Sequence, residues 1–172
     1  ATYINADFVS KFSNTDVRNL FVASSTITNP ADFRRYTTRK FKFNFGSDVP
    51  LIRTAEMILI DAEALARTPG KEAEAHDLLY ALQKNRDVNA VKSTNTGAAL
   101  IDEILLERRK ELYAENGVEW FDAKRLRKGI TRTGNHRIFK NLSADDKRFF
   151  LKVPQREIDA NESIDDTVNK DR

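Results

Sequence analysis

PLIRTAEMILIDAEAL, residues 50–65, is the stretch that decides the fold. Leu51, Ala55, Ile58, Ala62 and Leu65 recur at helical spacing, with Ile52, Leu59 and Ala66 beside them, and so lay an apolar stripe along one side of a helix. Ser47 or Asp48 is placed to cap that helix, and Pro50 suits its first turn. The pattern predicts a helix over 50–67. Thr68-Pro69-Gly70 breaks it, and Ala75, Leu78, Leu79 and Leu82 start a second helical pattern within a few residues. Helices joined by so short a link fold back on each other, which predicts an antiparallel hairpin over about 50–88.

Upstream, residues 1–46 show little helical periodicity. RKFKFNF (39–45) alternates Phe41, Phe43 and Phe45 with Lys40, Lys42 and Asn44, the signature of a half-buried strand. Downstream, a polar loop around VKSTNTG leads to Thr96, a candidate N-cap. Leu100 or Ile101, Ile104, Leu105, Arg108 and Leu112 then mark a third helix to about 115, stopped by Asn116-Gly117. VEWFDAKRLRKG (118–129) reads as a short fourth helix ending at Gly129. The remainder, with RTGN and Pro154, reads as extended tail or loop. The expected organisation is a single domain or fragment, with an irregular and strand lead-in over 1–48, a helical core over 49–128 and an extended C-terminal segment over 129–172.

Composition sets the outer bounds. The chain has 172 residues, 40% of them apolar, which is enough for one core. A net charge of +3 from 29 cationic and 26 acidic side chains is not that of a polycation. Without cysteine there is no disulfide, no thiolate metal site, no cysteine nucleophile and no lipid-bearing cysteine. ATYINADFVS lacks the regions of a signal peptide, and no apolar run approaches the roughly 18 to 20 residues that span a bilayer. As given, the chain reads as soluble.

The densest chemistry lies in ERRKELYAENGVEWFDAKRLRKG (107–129) and the turn before it. Glu103, Glu107, Glu111 and Glu115 follow one another at i, i+4 steps as a carboxylate column. Two carboxylates facing a sugar could hydrolyse a glycosidic bond. With Arg108, Arg109 and Lys110 interleaved, the column reads more simply as a solvated or ion-paired face. Glu72 and His76 stand one helical turn apart without a third metal ligand, so no metal is expected. Seven lysines and arginines with no acid between Lys124 and Lys140 would suit phosphate contact, but aromatics do not interleave with them as stacking platforms. Trp120 and Phe121 read as buried, with Asp122 paired to an arginine. No glycine-rich phosphate loop or nucleophile elbow is present.

The order of these segments resembles the C-terminal part of the SusD/RagB-type outer-membrane nutrient-uptake lipoproteins, from about Asp16 to Ile164. The stretches that carry the resemblance are DVR (16–18), YTTRKFKF (36–43), PLIRTAEMILIDAEAL (50–65), ILLERRKELYAE (104–115), WFDAKRLRKGI (120–130) and LKVPQREIDANESI (151–164). Its structural signature falls on Arg53, Glu56, Glu63, Glu107, Arg108, Arg109, Glu111, Trp120, Asp122 and Arg125. Two positions depart from it: Asn116 separates Glu115 from Gly117, and Glu162 stands where a proline is common.

The resemblance implies a mostly α, SusD-like fold with a tetratricopeptide-type helical hairpin, further helices, a short strand and long loops. It also implies non-catalytic binding of a glycan or other nutrient, and delivery to a SusC-type TonB-dependent transporter. The place would be the outward-facing surface of the bacterial outer membrane. Attachment would come only through a lipid anchor in a missing N-terminal portion, with no cofactor and no nucleic acid partner. It carries over no ligand-binding and no catalytic residue. ERRKEL and WFDAKR would form a scaffold in which arginines pair with carboxylates across helix ends while Trp120 fills the core beneath. On that reading Arg109→Ala or Asp122→Ala destabilises the domain. A glycoside hydrolase-type enzyme and a basic helical nucleic-acid-binding domain are the alternatives from other classes.

Overall fold

The computed structural model describes residues 2–41, 46 and 48–170. In chain order these form β1 (Tyr3–Ile4), α1 (Ala6–Val9), β2 (Phe21–Ala23), β3 (Tyr36–Thr38), α2 (Thr54–Ala66), α3 (Glu72–Arg86), α4 (Gly97–Leu112), α5 (Val118–Arg125) and α6 (Gln155–Ala160). Short 3-10 turns at Lys147–Phe149 and Asp166–Asn169 complete them. The fold is mostly α. The described residues gather into two compact units, Ala1–Glu119 with Thr133–Ile138, and Trp120–Arg132 with Phe139–Arg172. Among the described residues no helix is long and apolar enough to cross a membrane.

In the first unit α2 packs against both α3 and α4, which scarcely touch each other. Ala55, Leu59, Ala62 and Ala66 form the buried stripe of α2, and its alanines let α3 approach closely through Ala75, Leu79 and Leu82. Leu100 and Ile104 of α4 close the same core. Gly70, at φ +77°, takes the left-handed turn between α2 and α3 that residues with a Cβ resist.

The helix expected from residue 50 starts only at Thr54, and Leu51 and Ile52 are exposed rather than part of its buried face. Two polar contacts hold the lead-in extended. Arg53 reaches away to Glu111 and Glu115, and the Asn116 side-chain amide donates to the carbonyls of Pro50 and Leu51. The third helix likewise ends at Leu112 instead of about 115, because Tyr113 turns outward to bury its ring among Phe8, Phe12 and Phe21. Thr96 sits at the head of α4 as expected, but its hydroxyl makes no cap; the Glu72 carboxylate accepts from Gly97 N–H at 2.7 Å instead.

A second aromatic core of Ile4, Phe8, Phe12 and Tyr113 lies beside a three-stranded antiparallel sheet of order β1-β3-β2. Tyr36–Thr38 forms the central strand, just ahead of the alternating stretch 39–45, whose residues 42–45 lie outside those described.

In the second unit Trp120 stacks on the buried Phe149 at 4.8 Å between ring centroids. The fourth helix ends at Arg125, not Gly129, since Arg127 adopts φ +48° and the chain turns into an antiparallel bridge, Ile130 with Leu142. The segment 139–172 is not uniformly extended: α6 and both 3-10 turns lie in it, and Val153 and the Asn169 side chain exchange two hydrogen bonds of 2.8 Å.

A Cβ on Gly129 would stand 2.2 Å from the carbonyl oxygen of Leu142, a clash that only backbone movement relieves. Gly129→Ala is therefore expected to destabilise the second unit by about 1–3 kcal/mol. Hydrogen exchange at the Ile130 and Leu142 amides should accelerate; unchanged exchange would contradict this.

Candidate functional site

Three of the four glutamates in the column are buried; Glu103 is half-buried and bonds Gln83, Ser93 and Asn95. Glu107, Glu111 and Glu115 are each less than a tenth exposed. Only the first two stand on the helix, while Glu115 returns to the cluster from the turn after Tyr113. Carboxylates so far from water need partners, and segments distant in sequence supply them.

Glu111 is the centre. Arg86, the last residue of α3, grips it with Nε at 3.0 Å and Nη2 at 2.9 Å. Arg18 Nη1 donates to it at 2.9 Å and Arg53 Nη1 at 2.7 Å. Arg53 also clamps Glu115 through Nε and Nη2, and Lys40 Nζ donates to the carbonyls of Glu111 and Tyr113. Arg18 is held in turn by Asp16 at 2.8–2.9 Å, and its Nη2 lies 2.6 Å from Glu107 Oε1, in charge contact though not aligned as a hydrogen bond. Lys110 Nζ stands 3.1 Å from Asp16 and over the Phe12 ring. The cluster borders a cavity of about 230 Å³ lined by Val17, Leu20, Arg53, Arg86, Lys110 and Glu111 among others.

Burial works against the charged form of Glu111, but the hydrogen bonds of Arg86 and Arg53 and the charges of Arg86 and Arg18 outweigh it and hold the carboxyl at about 2. Asp16 is also buried, yet Arg18 and Lys110 bring it below the usual carboxylate range. At Lys40 the balance is reversed: desolvation, with Arg53 nearby, lowers the ammonium despite Glu115. A group that keeps its charge to about 2 is a poor general acid at neutral pH, so Glu111 lacks the raised pKa that a glycosidase acid needs.

The structural-signature residues divide. Arg53, Glu107 and Glu111 meet in this cluster. Glu56 and Arg108 form a separate, largely buried pair at 2.9 Å between α2 and α4. Glu63, also buried, takes the Arg67 guanidinium one turn along α2. Arg109 is exposed and pairs with the exposed Glu119, an arrangement worth about 0–1 kcal/mol, and its guanidinium also lies over the buried Phe8 ring at 4.8 Å. Trp120, expected to fill the core beneath ERRKEL, belongs to the second unit. It is half-buried in the second unit on Phe149, while Phe121 is exposed and Asp122 pairs with Arg125 three residues on at 2.8 Å.

Sequence reasoning missed Arg86, which in the sequence looks like any surface cation, and the role of Lys40; Lys110 is among the cations interleaved with the glutamate column. Asp16 and Arg18 were marked only by the resemblance. Glu72 caps α4, and the His76 ring bonds the carbonyl of Asn95 at 2.7 Å; among the described residues no three His, Asp or Glu side chains are grouped to hold a metal ion. The basic residues of 124–140 are divided between the two units.

The SusD family pattern matches residues 31–168. The chain belongs to the SusD family. Asp16 and Arg18 lie ahead of the matched range. The structure is similar to that of a SusD-like carbohydrate binding protein from Bacteroides vulgatus, with a TM-score of 0.74 and 21% identity over 98% of this chain and 40% of that one. It is also similar to a putative sugar binding protein from Bacteroides vulgatus, with a TM-score of 0.71 and 23% identity over 92% of this chain and 37% of the other. At these identities the likeness is one of fold. The chain spans about 40% of the length of the first of these SusD-like structures. No curated protein matches it.

The cluster makes stability depend on acid. As pH falls past the ordinary glutamate value of 4.5, the unfolded chain takes up a proton that folded Glu111 refuses until about 2. The stabilisation, on the order of 3 kcal/mol, is complete above about 4.5 and is lost across that window; Asp16 adds in the same direction. Urea midpoints measured from neutral pH downward should therefore drop between these values. A midpoint that stays level would contradict the assignment.

Proposed function

We propose that the chain is part of a non-catalytic protein that binds glycan at the outward face of the bacterial outer membrane and passes it to a SusC-type TonB-dependent transporter. The observation that carries this reading is the family match over residues 31–168, joined to structural neighbours described as carbohydrate- and sugar-binding. The state of the carboxylates supports binding over hydrolysis. Glu111 is saturated by three guanidiniums and ionised, so it is not poised to protonate a leaving group.

Affinity electrophoresis through gels containing candidate polysaccharides, with product analysis of every hit, tests the reading. Retardation without release of reducing ends is the expected result. Sugar release, or retardation by none of the polysaccharides, would contradict it.

A further inference from the structure

We propose that the cavity beside Glu111 binds the carboxylate of an acidic sugar, a hexuronate residue, with Arg86 and Lys110 on the carboxylate and Val17 and Leu20 against the C–H face of the ring. This deepens the glycan reading and rests on it.

The first ground is charge. Arg18, Lys40, Arg53, Arg86 and Lys110 converge on Asp16, Glu107, Glu111 and Glu115, five cations on four anions. Asp87 keeps its charge under the hydroxyls of Ser13 and Thr15 and acts on Lys110 as a fifth anion, but it does not line the cavity, whose charged lining is Arg18, Lys40, Arg53, Arg86 and Lys110 with Glu111 as the one acid among the described residues. A lining in which cations outnumber acids suits an anion, and the planar fork of a guanidinium matches a carboxylate.

The second ground is unused donors. A guanidinium offers five N–H groups in a fixed fork. Arg86 spends Nε and Nη2 on Glu111, and its Nη1 has no hydrogen-bond partner among the described residues. Lys110 has three N–H groups, with Asp16 as its one close oxygen at 3.1 Å and Glu107 farther at 3.6 Å. Both side chains line the cavity and both retain access to water.

Shape and lining give the third. At about 230 Å³ the cavity is smaller than the roughly 300–1,000 Å³ that encloses a drug-sized ligand, which suits one sugar residue and not an oligosaccharide. Val17, 63% exposed, and Leu20, 41% exposed, place apolar surface at the rim of a cationic floor. A pyranose carboxylate has both faces to offer, apolar C–H groups and a planar anion for a guanidinium edge.

Calorimetric titration of the chain with D-glucuronate, D-glucose and acetate at low salt tests the proposal. Glucuronate should bind and glucose should not. Val17→Glu, which sets a negative charge at the rim without touching an ion pair, should weaken glucuronate roughly tenfold or more at unchanged thermal stability. Arg86→Lys, which keeps the charge and loses the fork, should weaken it as well. Acetate binding as tightly as glucuronate, or Val17→Glu leaving affinity intact, would overturn the site. Absent glucuronate binding while the gels still show retardation by neutral polysaccharides would overturn the site and leave the glycan reading standing; no retardation at all would overturn both.

Discussion

One carboxylate, buried and ionised, organises the first unit. Glu111 accepts from Arg18, Arg53 and Arg86, which come from the loop after α1, the lead-in to α2 and the end of α3. An isolated carboxylate with so little exposure would be driven to its neutral form. Three guanidiniums reverse that, and they can do so only where the sheet region, the hairpin and α4 are all in place. Loss of a single partner leaves charge without compensation, which is why such clusters are costly to break piecemeal. The hydrophobic core of α2, α3 and α4 supplies burial, but apolar packing tolerates sliding in a way that directional hydrogen bonds do not.

The helices were legible in the sequence, and their ends were not, for one physical reason. Apolar periodicity located α2, α3 and α4, since a stripe facing a core is a local pattern. Their termini are set by contacts from elsewhere: Arg53 is held extended by Glu111 and Glu115, and Tyr113 leaves the helix for an aromatic cluster. Strands of two or three residues are too short for alternation to register. Arg86 carries no mark that separates it from Lys84, because which cation is buried depends on where a distant glutamate lies. The ion-paired reading of the glutamate column foresaw the chemistry; its burial and its partners needed the fold.

The division between scaffold and ligand surface follows from the same cluster. The residues that carry the family resemblance on α4, Glu107, Arg108 and Glu111, are enclosed in ion pairs and contribute to holding the backbone. Side chains fixed in this way are poor candidates for adapting to different glycans. On the proposed glycan-binding role, recognition would fall to what such a scaffold leaves open: the cavity at its edge, and the exposed residues of the loops. Structures 21% and 23% identical to this chain share its fold closely, in keeping with a frame that a limited set of interactions specifies.

The central claim is that Glu111 and its arginines act as one unit. A double-mutant cycle on Arg86→Met and Glu111→Gln, followed by urea denaturation at neutral pH, tests it most directly. The account predicts a coupling of about 1–3 kcal/mol, because either substitution alone strands charge that the other would have matched. Two effects that add to within about 0.5 kcal/mol would show the pair to be independent and the cluster to be no more than an assembly of neighbouring charges.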